Sequence, residues 1–191
     1  MGFTGVSFHL GMSSSKAGSS CEDSLLSLES KSVNIPTECI TAYTQLHNKR
    51  GANKPSFLIY KISDDKRSIE VEESSTERNY EAFLQKLASS VDREGNPAPR
   101  YAVYDVEYDL KGDGKRFGII VTNVVGATRA TTVFISWVPE ETSTRSRMLY
   151  AATKEQLRRI LDFKVSIHAD ELSGIEWMRV VREASGGRLQ G

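Results

Sequence analysis

Little in this chain points to chemistry that depends on a special residue. Its 191 residues include only two cysteines and three histidines. Cys21 and Cys39 fall in a predicted tail and a predicted helix, and reduced thiols in a cytosolic protein are the simplest reading; a Cys21–Cys39 disulfide stays open. His9, His47 and His168 are scattered, without metal-ligand spacing or a Ser/Cys–His arrangement, so neither an enzyme nor a bound metal or cofactor is expected. The Lys111–Lys115 turn (KGDGK) lacks the spacing of a phosphate-binding loop. No apolar run approaches the roughly 18 residues of a membrane span, and the N-terminus lacks the charged and apolar regions of a secretory signal. Nor does one sign of charge prevail. The 25 basic and 25 acidic residues cancel, which argues against nucleic-acid or membrane-surface binding driven by bulk charge. Any anion binding would have to be local.

What is present reads as one domain with tails. Residues 1–31 contain a Ser/Gly-rich segment with little to bury, and a disordered leader is expected there. From Val33 the pattern becomes globular. Pro36, Thr37 and Glu38 suit a first helical turn, followed by Ile40, Tyr43 and Leu46. Phe57–Ile62 and Ile69–Val71 read as a hairpin, and Tyr80, Phe83, Leu84 and Leu87 as a short amphipathic helix. Arg100–Tyr108 (RYAVYDVEY) reads as a strand in which Ala102, Val106 and the tyrosines alternate against Asp105 and Glu107. Val133–Trp137 is a further strand, Phe163–Ile167 an edge strand and Ile175–Ala184 a last helix. Residues 186–191 form a tail. This order predicts an α/β (α+β) fold, with one mixed sheet and helices on both faces.

The longest helical pattern is Thr144–Leu161 (TRSRMLYAATKEQLRRIL), which has capping candidates at Thr142, Ser143 and Thr144 and no Gly or Pro. At about 100° per residue, Leu149, Tyr150, Thr153, Leu157, Ile160 and Leu161 share one stripe, the predicted core face. Met148 lies opposite, with Arg147, Ala151, Glu155, Arg158 and Arg159. A low, greasy and basic surface of this kind suits a protein partner, although a solvated face with a stray Met would look the same on spacing alone.

Ser56–Asp65 (SFLIYKISDD), Arg100–Tyr108, Gly114–Arg116, Val133–Pro139 (VFISWVP) and above all Ser146–Leu161 occur in an order that resembles the actin-depolymerising factor/cofilin family, most closely its fungal members. The resemblance covers about residues 32–185. It implies a single ADF-homology (gelsolin-like) domain with about five strands. It also implies a cytoplasmic monomer of the actin cytoskeleton, found in cortical patches and open to the nuclear matrix. Such a protein binds ADP-actin monomers and filaments and severs or depolymerises the filaments. Other implied partners are phosphoinositide headgroups and cyclase-associated protein. A coactosin- or drebrin-type side binder shares the fold, but the Ser146-Arg147-Met148 run with its paired arginines argues against it.

Carried over residue by residue, the resemblance implies that Arg145 and Arg147 pair with acidic groups on actin around Met148, with Ala151 on the same surface. Arg158 and Arg159 match a basic pair that contacts actin and phosphoinositides. Val33, Asn34 and Ile35 match a flexible segment that lies on actin, and Ser32 the phosphorylatable serine before it. A phosphate there would oppose the acidic surface of actin. Lys115, Arg116, Arg182 and Glu183 match filament-specific contacts.

This chain also departs from the family pattern. Residues 118–131 are an unusual insertion, which either lengthens the hairpin or is translated intron, and it leaves the pairing of the strand into Val133–Trp137 in question. Arg182-Glu183 reverses the family's Glu-Arg order, and Gly186 stands where a base is usual. Monomer binding is therefore the firmer expectation, and severing the weaker.

Overall fold

The computed structural model describes residues 1–2, 32–48, 51, 53–109 and 128–187. The elements are α1 (Thr37–Asn48), β1 (Phe57–Ile62), β2 (Ile69–Ser75), α2 (Tyr80–Ala88), β3 (Arg100–Asp109), β4 (Thr128–Trp137), α3 (Thr144–Leu161), β5 (Val165–Ala169) and α4 (Trp177–Ala184). The strands form one sheet in the order β2-β1-β3-β4-β5, antiparallel except for the β4–β5 pair.

β3 shows why the sheet is covered on both sides. Successive side chains of a strand point to opposite faces, yet Tyr101, Ala102, Val103, Tyr104, Val106 and Tyr108 are all buried. Ala102, Tyr104, Val106 and Tyr108 pack with Tyr80, Phe83 and Leu87 of α2 and with Val180, Val181 and Ala184 of α4. Tyr101 and Val103 pack the other way, against Leu46 of α1 and Tyr150, Leu157 and Leu161 of α3. The expected alternation is corrected in one respect: Tyr101 shares a parity with Asp105 and Glu107, not with the other tyrosines. Those two acids lie nearer the hairpin end, where each has a cation: the largely buried Asp105 carboxylate pairs with Lys54, and the exposed Glu107 with Arg78.

The β3–β4 ladder runs through ten consecutive pairs, from Arg100↔Trp137 to Asp109↔Thr128, with no shift of register. Thr128–Thr131, the end of the inserted stretch, continues this ladder, and Val133–Trp137 pairs in register with Tyr104–Arg100. Residues 110–127, with the rest of the insertion, lie outside the described residues, as does the expected leader over 3–31.

Two other boundaries differ from expectation. β2 continues to Ser75, with a bulge opposite Ile59/Tyr60. The last helix is two pieces, a 3-10 turn over Leu172–Ile175 and then α4, because Glu176 is extended (φ −58°, ψ 145°). Gly174 lets this turn approach β5: a Cβ there would lie 2.9 Å from the Ala169 Cβ, closer than side chains tolerate.

Candidate functional site

α3 is fixed by its N-terminal half. The Ser143 hydroxyl accepts the Ser146 amide at 3.3 Å, so of the three capping candidates it is Ser143 that caps. Tyr150 then fastens the helix to two strands. Its hydroxyl accepts the Ile62 amide of β1 at 2.9 Å, and its carbonyl accepts the Tyr101 hydroxyl of β3 at 2.5 Å. Burial pushes both phenols above their usual range, so Tyr101 stays a neutral donor and Tyr150 a neutral acceptor. Tyr150, Thr153, Leu157 and Leu161 form the buried stripe. Ile160, expected in it, is 46% exposed, because it lies toward one margin of the apolar arc.

The opposite face is open. Met148 is 68% exposed, only two residues from the anchoring Tyr150. Arg145, Arg147, Ala151, Arg158 and Arg159 are exposed along the same helix. The Arg147 Nη2 donates to the Glu140 carbonyl at 2.6 Å, which steadies the guanidinium beside Met148. Arg158 pairs with Glu155 one turn away at 3.1 Å. Among the described residues, Arg145 and Arg159 are in no ion pair. Sequence reasoning missed two features of this face: exposed Ile160, whose marginal wheel position was the signal, and the Glu140 carbonyl, for which no signal existed.

The segment 33–35 joins this region, but not as a flexible strand. The Asn34 amide donates to the Arg67 carbonyl at 2.7 Å, and its carbonyl accepts the Ile69 amide at 2.9 Å. That pairing turns Val33 inward, where it is 2% exposed within the core. Val33 is thus a packing residue, Ile35 is half-buried, and Asn34 is the exposed one of the three. Ser32 is exposed immediately before them. Because Asn34 is held at the β1–β2 turn, and Ile62 at that same turn holds Tyr150, residues 32–35 and the start of α3 occupy one end of the sheet.

Arg182 and Glu183 lie elsewhere. Both are exposed on α4, which packs on the other sheet face. The Tyr108 hydroxyl donates to the Ala184 carbonyl at 3.2 Å, setting the end of α4 against the hairpin end of β3. Lys115 and Arg116 lie outside the described residues. The structure therefore brings 32–35 and Arg145–Met148 together and keeps Arg182 and Glu183 apart from them.

The sequence matches the family of cofilin/tropomyosin-type actin-binding proteins over residues 32–185. The cofilin of Gibberella zeae is 32% identical over 159 residues, 80% of this chain and 94% of that protein. Among solved structures, the cofilin of Streptomyces griseoflavus superposes with a TM-score of 0.64 at 27% identity, covering 81% of this chain and 98% of that one. A coactosin from Entamoeba histolytica reaches a TM-score of 0.60 at 12% identity over 82% of this chain and 97% of its own, a likeness of fold alone. With a family match that covers the whole described core and a relative aligned over nearly its full length, the chain belongs to the actin-binding ADF/cofilin family.

Proposed function

We propose that this protein binds ADP-actin monomers through the exposed face of α3 and the adjoining residues at Ser32–Ile35, and that it engages and depolymerises filaments through a second surface. The observation that carries the reading is Met148, a large apolar side chain left in water between two arginines on a helix that buried hydrogen bonds hold rigid. A preorganised apolar anchor ringed by bidentate donors is the usual composition of an interface hot spot. Arg145 and Arg147 pair with carboxylates of actin, and Asn34 contributes from the neighbouring segment. Arg158 and Arg159 extend the basic surface and give phosphoinositide headgroups a place to compete. Phosphate on Ser32 opposes docking by repulsion. Cyclase-associated protein is a further partner in turnover, and the protein works at the cytoplasmic actin cytoskeleton.

The filament surface comprises Lys115, Arg116, Arg182 and Glu183. Its altered charge order on α4 favours a second reading, in which monomer binding is retained and severing is weak. Co-sedimentation with ADP-actin filaments, following actin in pellet and supernatant, tests both beside Arg147→Ala/Met148→Ala. Movement of actin into the supernatant that the double variant abolishes supports the full reading. Monomer binding with actin left in the pellet supports the second. Binding to neither form rejects both.

A further inference from the structure

The two edges of the sheet are β2 and β5, and they are not alike. β2 carries Glu70, Glu72 and Glu73 and no basic residue, so a second β2 laid beside it would set acid against acid. β5 is different. The Ala169 carbonyl accepts the Val138 amide at 2.9 Å, so Val165, Ile167 and Ala169 turn their backbone groups toward β4. Ser166 and His168 turn theirs outward, and among the described residues no other backbone group pairs with them. Both residues are exposed, as are Lys164 and Asp170, which flank the strand. Among the described residues, neither Lys164 nor Asp170 is in an ion pair.

This edge is its own complement. A two-fold axis through Ile167 puts Ser166 opposite His168 of a second copy, and Lys164 opposite its Asp170. Ser166 and His168 are the residues with outward backbone groups, so these pairs can exchange both N–H and C=O bonds, as an antiparallel ladder requires. Lys164 and Asp170 share the strand face of Ser166 and His168, so each base meets an acid. An axis at Ser166 would instead set Lys164 against His168 and Asp162 against Asp170, so the charges also fix the register. We propose that β5 joins β5 of a second copy in antiparallel register about Ile167, making one continuous sheet from two chains. A five-residue edge buries less than a permanent dimer needs, so the pair forms and parts readily and the chain is a monomer when dilute. Nothing in this pairing uses Met148 or the arginines of α3, so it stands apart from the reading proposed for actin.

The test is sedimentation equilibrium of the full chain at low ionic strength, from about 10 μM to 1 mM. The expected result is a weight-average mass that rises with concentration toward twice that of the monomer. Over the same range, amide exchange at Ser166 and His168 should slow while that of β2 stays unchanged. Lys164→Asp should weaken the association roughly fivefold or more, and Lys164→Asp/Asp170→Lys should restore it. A mass that stays monomeric at the highest concentration overturns the proposal and leaves the edge to a strand of another protein. It is equally overturned by association that spares the two amides, by Lys164→Asp associating as the parent does, or by a double variant no better than the single one.

Discussion

The two ends of the sheet are built differently. At the end where α3 starts, every element is tied to another: Asn34 to Arg67 and Ile69, Ile62 to Tyr150, Tyr101 to Tyr150. At the hairpin end, β3 and β4 run on beyond their outer neighbours. β1 pairs β3 only as far as Tyr104, and β5 meets β4 only from Val133. Asp105–Asp109 and Thr128–Thr132 therefore form a two-stranded ribbon, with the His47 ring at 3.3 Å from the Thr132 hydroxyl and Tyr108 reaching α4. The rigid end carries Ser32–Ile35 and Arg145–Met148, proposed for the actin monomer, while the end of α4, with Arg182 and Glu183 proposed for the filament, lies against the projecting end. The contrast suggests a protein in which one docking surface is kept stiff while the other tolerates change of length and charge.

The comparison is broken most directly from inside the core beneath α3. Leu157→Ala, at a fully buried site beneath α3, should cost about 2–5 kcal/mol of stability in urea unfolding. Arg147→Ala/Met148→Ala, on the opposite face of the same helix, should leave the unfolding midpoint nearly unchanged. Its effect belongs in monomer binding by calorimetry, a loss of about 2 kcal/mol or more. If instead the pair unfolds the protein and spares binding, the two faces of α3 have been assigned the wrong way round.

Tyr150→Phe sharpens the point by removing one acceptor and leaving the ring. The Ile62 amide then stays buried without a partner, at a cost of about 1–3 kcal/mol, and amide exchange at Ile62 should accelerate. At the other end, Arg182→Ala/Glu183→Ala should reduce filament co-sedimentation by a few-fold and leave monomer affinity alone, because both side chains are exposed rim charges. An equal loss of monomer affinity would merge the two surfaces into one.

The smallest effect is one of pH. Burial raises the Cys39 thiol from 9.0 to about 11. Its contribution is fully present below pH 9 and is lost as pH rises toward 11, because the unfolded chain releases that proton first. Cys39→Ala should therefore flatten the alkaline fall of the unfolding midpoint; an unchanged slope would show the thiol to be titrating freely.

Much of this architecture was legible in the sequence. The helical period of 144–161 placed Met148 opposite Tyr150 and Leu157, and the structure keeps them apart. Periodicity failed where position along an element mattered more than position around it. Val33 resembled part of a flexible docking segment, yet a pair of backbone hydrogen bonds to the β1–β2 turn decides its direction, and no residue type announces those. Ile160 satisfied the wheel but lies at the edge of what the sheet can cover. The tyrosines of β3 could be read as buried, but their division between faces became clear only once both sides were known to carry helices.

The parallel pairing of β4 with β5 constrains the path of the chain. Parallel neighbours cannot be joined by a tight turn, and the crossover between these two is α3. β5 can therefore lie beside β4 only where the segment of α3 carries the chain back along the sheet. The helix that carries Met148 is that return, so in the native fold the closing strand and the exposed face of α3 belong to a single connection.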